Sequence, residues 1–282
     1  MAGCNEYAFS VVRRKTLLMR KLLYCLVAVL LCTGIGSCKK SASDTHSSLD
    51  ENLKISMREN IKDAKRTLSF YVTTEKTYPC SNYSIETSTT TGSDKIVISF
   101  IKINTPGICL TSLGPATAVI ALEGLSARTY TLELHTGNDV INGQLTVSAD
   151  QYVLTLPVQT KIESINPQLN RIPENTIFGT VHYHHSTTVG TVNKFIDSLQ
   201  YFGAATKLYL PGDYQQFQIE ANGQVKQVQD MGYYFTRYFI FHYAGDVTPL
   251  KNLVQRYGVT YKDSLLATIN TSKGEVLYSW NP

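Results

Sequence analysis

Six short runs between residues 83 and 156 limit the fold more than any other feature: 83–87, 95–103, 116–122, 129–135, 143–147 and 152–156. Each is rich in β-branched or aromatic residues and is bounded by Gly, Pro, Asn or Ser, as strands are. Tyr130, Leu132 and Leu134 alternate with polar neighbours, and so do Leu145 and Val147. Alternation puts them on one face of a strand, because successive side chains point to opposite sides. Regularly spaced short strands with turn signals between them predict an antiparallel β-sandwich over residues 67–158.

A local motif narrows this to an immunoglobulin-like form. Leu125-Ser126-Ala127-Arg128-Thr129-Tyr130 resembles the tyrosine corner of immunoglobulin-like domains, in which a tyrosine hydroxyl pins a crossing connection. Ahead of the sandwich, Ser48 and Glu51 fit a helix-capping box. Leu49, Leu53, Met57, Ile61, Ala64 and Leu68 then recur every three or four residues, which predicts a helix following a tether within residues 38–66. Residues 159–173, close to Pro157 and containing Pro167 and Pro173, read as a linker.

Residues 174–282 mix two periods. Residues 177–184 alternate as a strand, and Val189, Val192, Phe195, Ile196 and Leu199 mark a helix face that Gly203 ends. Asn222-Gly223 is a hairpin signal between two short runs. Residues 234–243 form an aromatic strand. Leu250, Leu253, Val254 and Tyr257 give a second helix after Thr248-Pro249, and two strands follow. The order β-α-β-β-α-β resembles a ferredoxin-like split βαβ plan with an added strand. The expected fold class is therefore α+β, an immunoglobulin-like sandwich followed by a ferredoxin-like domain.

The first 37 residues stand apart from this plan. Arg20 and Lys21 precede an apolar run, residues 22–31, too short for the roughly 20 residues a membrane span needs. Small residues and a cysteine follow, the layout of a secretory signal. Ile35-Gly36-Ser37-Cys38 resembles the lipobox of bacterial lipoproteins, which implies a mature chain starting at a lipidated Cys38. Residues 1–37 are then a leader, with Met1 and Met19 as alternative starts. Lys39 follows the cysteine where aspartate would signal inner-membrane retention, and no acidic run follows. By resemblance this favours an outer-membrane lipoprotein facing the periplasm, with the membrane as partner through its lipid.

Charge and cysteine content follow from the leader. Arg13, Arg14, Lys15, Arg20 and Lys21 against Glu6 account for the whole net charge of +4, so the mature chain is near neutral. No basic face argues for a nucleic-acid partner. Cys4, Cys25 and Cys32 fall in the leader, which leaves Cys80 and Cys109. An even pair in an exported domain reads as a disulfide, with a metal or redox pair as the alternative.

Catalytic motifs do not stand out: there is no Gly-x-Ser-x-Gly, His-Glu-x-x-His, Walker loop or dinucleotide fingerprint. Potential chemistry concentrates in Phe178, His182, His184, Tyr234, Tyr238 and His242. Period-two alternation puts these on one face of two strands that the split βαβ order makes neighbours. That face is a candidate binding surface. No cofactor is implied and no metal set is assigned, although imidazoles suit transition metals. The sequence thus points to an exported, lipid-anchored binding or interaction module with an envelope protein or glycan as partner. The alternatives are a hydrolase whose catalytic residues the sequence does not identify, or a metal-handling lipoprotein using the histidines.

Overall fold

The computed structural model describes residues 49–227, 235–262 and 264–280, which all belong to one compact unit, Thr45–Pro282. The leader, Cys38, the tether and Tyr234 lie outside the described residues. Ten strands form one continuous mixed sheet: β1 (Leu53–Lys62), β2 (Lys65–Tyr78), β3 (Ser84–Thr91), β4 (Lys95–Asn104), β5 (Gly114–Leu122), β6 (Arg128–Thr136), β7 (Asp139–Val147), β8 (Gln151–Thr155), β9 (Ile162–Ser164) and β10 (Gln168–Asn170). Their order is β10-β8-β7-β6-β4-β3-β5-β2-β1-β9. One side chain in two turns inward, and Leu53, Ile55, Phe70, Ile98, Phe100, Leu132 and Leu134 fill a single core.

The sheet curls into a half-barrel, and its two edges come close together. β9 pairs with β1 at one edge and β10 pairs with β8 at the other. Only Ile165, Asn166 and Pro167 join them, a span of at most about 14 Å. Glu59 of β1 lies buried at this closure. Its carboxylate receives two 3.1 Å hydrogen bonds from Arg66, one of 3.5 Å from Arg171, one of 3.1 Å from the Tyr152 hydroxyl and one of 3.0 Å from the Ile172 amide. The Arg171 guanidinium also lies 5.1 Å from the Tyr152 ring centroid. Burial and the neighbouring Glu59 charge push the Tyr152 hydroxyl well above the usual tyrosine range.

A smaller unit of structure follows: β11 (Thr176–Tyr183), α1 (Val189–Tyr201), β12 (Gly212–Asp213), β13 (Gln218–Ile219), β14 (Phe235–His242), α2 (Thr248–Thr260), β15 (Leu265–Thr271) and β16 (Val276–Tyr278). The antiparallel order is β14-β11-β15-β16, with β12 and β13 in a separate hairpin. α1 and α2 cover one face, where Val192, Phe195, Leu250, Leu253 and Val254 pack on Ile177, Val181, Phe239 and Ile269. Asp246 caps α2 by accepting the Thr248 amide at 3.0 Å and its hydroxyl at 3.1 Å. The other face packs on residues of the 209–219 segment and on Ile172.

These observations overturn the expected fold class. The chain is mostly β, a half-barrel followed by a four-stranded sheet with two helices, and not an immunoglobulin-like sandwich before a ferredoxin-like domain. All ten strands lie in one sheet rather than two packed ones, and three of its pairings are parallel: β4 with β6, β1 with β9 and β3 with β5. The tyrosine corner does form, with the Tyr130 hydroxyl accepting the Ser126 amide at 2.9 Å, but it secures a local turn in another architecture. Among the described residues the four-strand order lacks the second strand of a split βαβ plan, because residues 209–219 pack over the helix-free face instead of joining the sheet.

Two further segments differ from expectation. Residues 53–62 are a strand, not a helix. Leu53, Met57 and Ile61 are four apart, a spacing that fits both periods, while buried Ile55 and Glu59 complete an alternation. The β1–β2 turn places Asp63 and Ala64 at φ 51° and 59°, the left-handed pair of a tight hairpin. Residues 159–173, read as a linker, carry β9 and β10 and so stitch the half-barrel together.

Removing the Glu59 carboxylate strands two arginines in a mostly buried site. Glu59→Ala is expected to lower stability by about 3 kcal/mol or more, measured by urea unfolding. A loss under about 1 kcal/mol would show that the cluster does not hold the closure.

Candidate interaction surfaces

Register places the candidate binding-face residues. Thr176 opposes His242, Phe178 opposes Ile240, Thr180 opposes Tyr238 and His182 opposes Thr236. Phe178, His182, Tyr238 and His242 therefore share the face of the sheet away from the helices. They do not converge. His182 and His242 sit at opposite ends of the strand pair, about 20 Å apart at 3.3 Å per residue. Both His182 ring nitrogens meet threonine hydroxyls, Nδ1 with Thr236 at 2.7 Å and Nε2 with Thr180 at 3.1 Å. His184 lies exposed just past the end of β11, its ring 6.3 Å from that of His185. No group of three or more His, Cys, Asp or Glu among the described residues could hold a metal ion.

The middle of this face is covered. Phe178 is buried, its ring 5.2 Å from Phe217, and Phe217 stacks on Tyr214 at 5.0 Å. Burial pushes the Tyr209 and Tyr214 hydroxyls up to about 12, so both tyrosines stay neutral in this small core. Tyr238 borders a cleft of about 220 Å³ that also reaches Thr180 and Asn270. Its backbone is occupied by the Gln227 side chain, which accepts the Tyr238 amide at 2.9 Å and donates to its carbonyl at 3.0 Å.

A larger groove, about 850 Å³, runs between α2 and β16. Val254, Leu266, Leu277, Tyr278 and Trp280 line it, together with Val259, which is 83% exposed. The Tyr278 and Trp280 rings lie 5.0 Å apart and tilted, an aromatic corner at the end of the sheet. Its volume and apolar lining suit a ligand or a partner's side chains. Gly258 makes the groove's floor: a Cβ there would sit 1.6 Å from the Ser279 carbonyl oxygen, so only glycine lets α2 approach the chain this closely. The signal for this site in the sequence is the single tryptophan, two residues after Tyr278.

A second exposed feature is covalent. Cys80 and Cys109 form a disulfide with Cα atoms 5.3 Å apart. It staples the β4–β5 loop, residues 105–113, to the β2–β3 loop. Asn82 reinforces it by donating to the Ile108 carbonyl at 2.7 Å and accepting the Leu110 amide at 3.2 Å. The held loop presents Ile108, Leu110 and Leu113 at 81%, 56% and 78% exposure. Comparisons of the chain with protein-family models, characterised proteins and solved structures give no match.

Gly258→Ala is expected to cost about 1–3 kcal/mol, because the clash is with backbone. Urea unfolding measures it, and a neutral result would mean that α2 and β16 are not in close contact.

Proposed function

We propose that this chain is an exported, lipid-anchored protein of a bacterial cell envelope that acts as a binding module. The observation that carries the reading is the Cys80–Cys109 disulfide. Disulfides persist in oxidising compartments outside the cytoplasm, and the Ile35–Cys38 motif supplies an export signal of the matching kind. Closing a loop with sequence separation 29 stabilises the domain by about 3–4 kcal/mol in the chain-entropy model. The anchor holds the protein to the outer membrane, facing the periplasm. The α2–β16 groove supplies the binding side, and its aromatic corner fits an envelope protein's apolar side chains or the face of a sugar ring.

Mass spectrometry of the protein from membranes is expected to find a mature chain beginning at a diacylglyceryl-modified Cys38, with no free thiol at Cys80 or Cys109. Cys38→Ala releases the chain from its anchored form. An unmodified chain beginning elsewhere, or two free thiols, removes the envelope assignment. For the groove, Val259→Asp is expected to abolish cross-linking to an envelope partner through this surface while leaving the melting transition in place.

A further inference from the structure

The stapled loop and the point where the described chain begins lie at the same end of the half-barrel. The Leu49 carbonyl accepts the Thr136 hydroxyl at 2.9 Å, at the β6–β7 turn. Lys161 ties Asp50 to Asp139 at the same turn. Glu51 accepts the Tyr78 hydroxyl at 3.3 Å, and the Tyr78 ring stacks on Tyr83 at 4.8 Å, between which Cys80 holds the loop. β4 pairs with β6 as far as Phe100 and Thr136, then continues to Asn104, so the loop stands beyond that turn.

The chemistry of this end is graded. Ile108, Leu110 and Leu113 occupy the loop, and no charged residue occurs from Ile103 to Leu122 or from Thr77 to Ile85. Behind the aliphatic loop sit the half-buried Tyr78 and Tyr83. Behind them lie two exposed lysines, each paired with a glutamate: Lys76 with Glu51 and Lys102 with Glu86, both at 3.4 Å. Aliphatic, then tyrosine, then neutralised charge is the sequence of polarity met on leaving a bilayer.

We infer that residues 105–113 form a second membrane contact, inserting Ile108, Leu110 and Leu113 into the acyl boundary of a lipid bilayer. The inference rests on the envelope reading for its setting. Leu49 lies eleven residues after Cys38, so the intervening chain reaches at most about 40 Å and keeps this end near the anchoring membrane. The disulfide and Asn82 order the loop beforehand, so insertion loses little chain entropy.

The test uses the chain from Cys38 to Pro282, produced without the leader and therefore unlipidated. It contains the whole compact unit and all three cores. Trp280→Phe silences the native tryptophan and Ile108→Trp reports from the loop. Vesicles of phosphatidylethanolamine and phosphatidylglycerol are expected to shift the emission to the blue, and brominated acyl chains to quench it. Leu110→Asp and Leu113→Asp should each weaken vesicle binding about tenfold. Emission unchanged by vesicles overturns the inference whatever is found at Cys38. So does a chain that ignores vesicles but self-associates until Leu113→Asp makes it monomeric, since the loop is then a contact between copies. Binding that survives both aspartate variants overturns it as well.

Discussion

One buried carboxylate holds the half-barrel shut. Glu59 is fixed on the first strand, and its partners come from Arg66 on the second strand, Tyr152 on the eighth, and Arg171 and Ile172 just after the tenth. The bonds therefore cross the gap where the two edges of the sheet meet. A buried ion pair of this sort contributes little net stability compared with apolar packing, but it penalises any arrangement that leaves the charge without partners. The three-residue link between β9 and β10 brings the two edges together, and the carboxylate penalises any register that leaves it unpaired.

The same closure explains what could be read from the sequence. The six runs between residues 83 and 156 all became strands, because each carries its own alternation and its own turn residues. The closure carries no comparable local signal. β9 and β10 have three residues each, and Asn166 and Glu59 act on partners more than a hundred residues away. Residues 53–61 read as a helix because spacing by four satisfies two periods at once; buried Ile55 and Glu59 complete the alternation of a strand. Asn222-Gly223 did mark a tight turn, with Gly223 at φ 78°. Tyr214, Phe217 and Ile219 then drew that segment over Phe178, which the strand pattern did not foretell.

The candidate face was legible in direction and not in distance. Parity placed Phe178, His182, Tyr238 and His242 on one side, and adjacency of β11 and β14 followed from the order of elements. Position along the strands depends on register, and register put the two histidines at opposite ends. The two exposed apolar surfaces went unseen for another reason. Ile108, Leu110 and Leu113 follow no helix or strand period, and the α2–β16 groove needs a glycine contact between segments to exist.

Open positions on β1 and β14 are filled by side-chain amides. Asn166 accepts the Met57 amide at 2.7 Å and donates to its carbonyl at 3.0 Å; Gln215, at φ 70°, accepts the Glu59 amide at 2.9 Å; Gln227 does for Tyr238 what Asn166 does for Met57. Each amide imitates a neighbouring strand over a single residue and occupies a place where another chain could pair. Tethering confines molecules to a surface and raises their local concentration far above that in free solution. For a chain tethered as proposed, an open edge on β1 or β14 would be a place for its neighbour's to pair. The carboxamides of Asn166, Gln215 and Gln227 take up those pairing positions at Met57, Glu59 and Tyr238, so that a neighbouring backbone would have to displace a side chain before it could pair there.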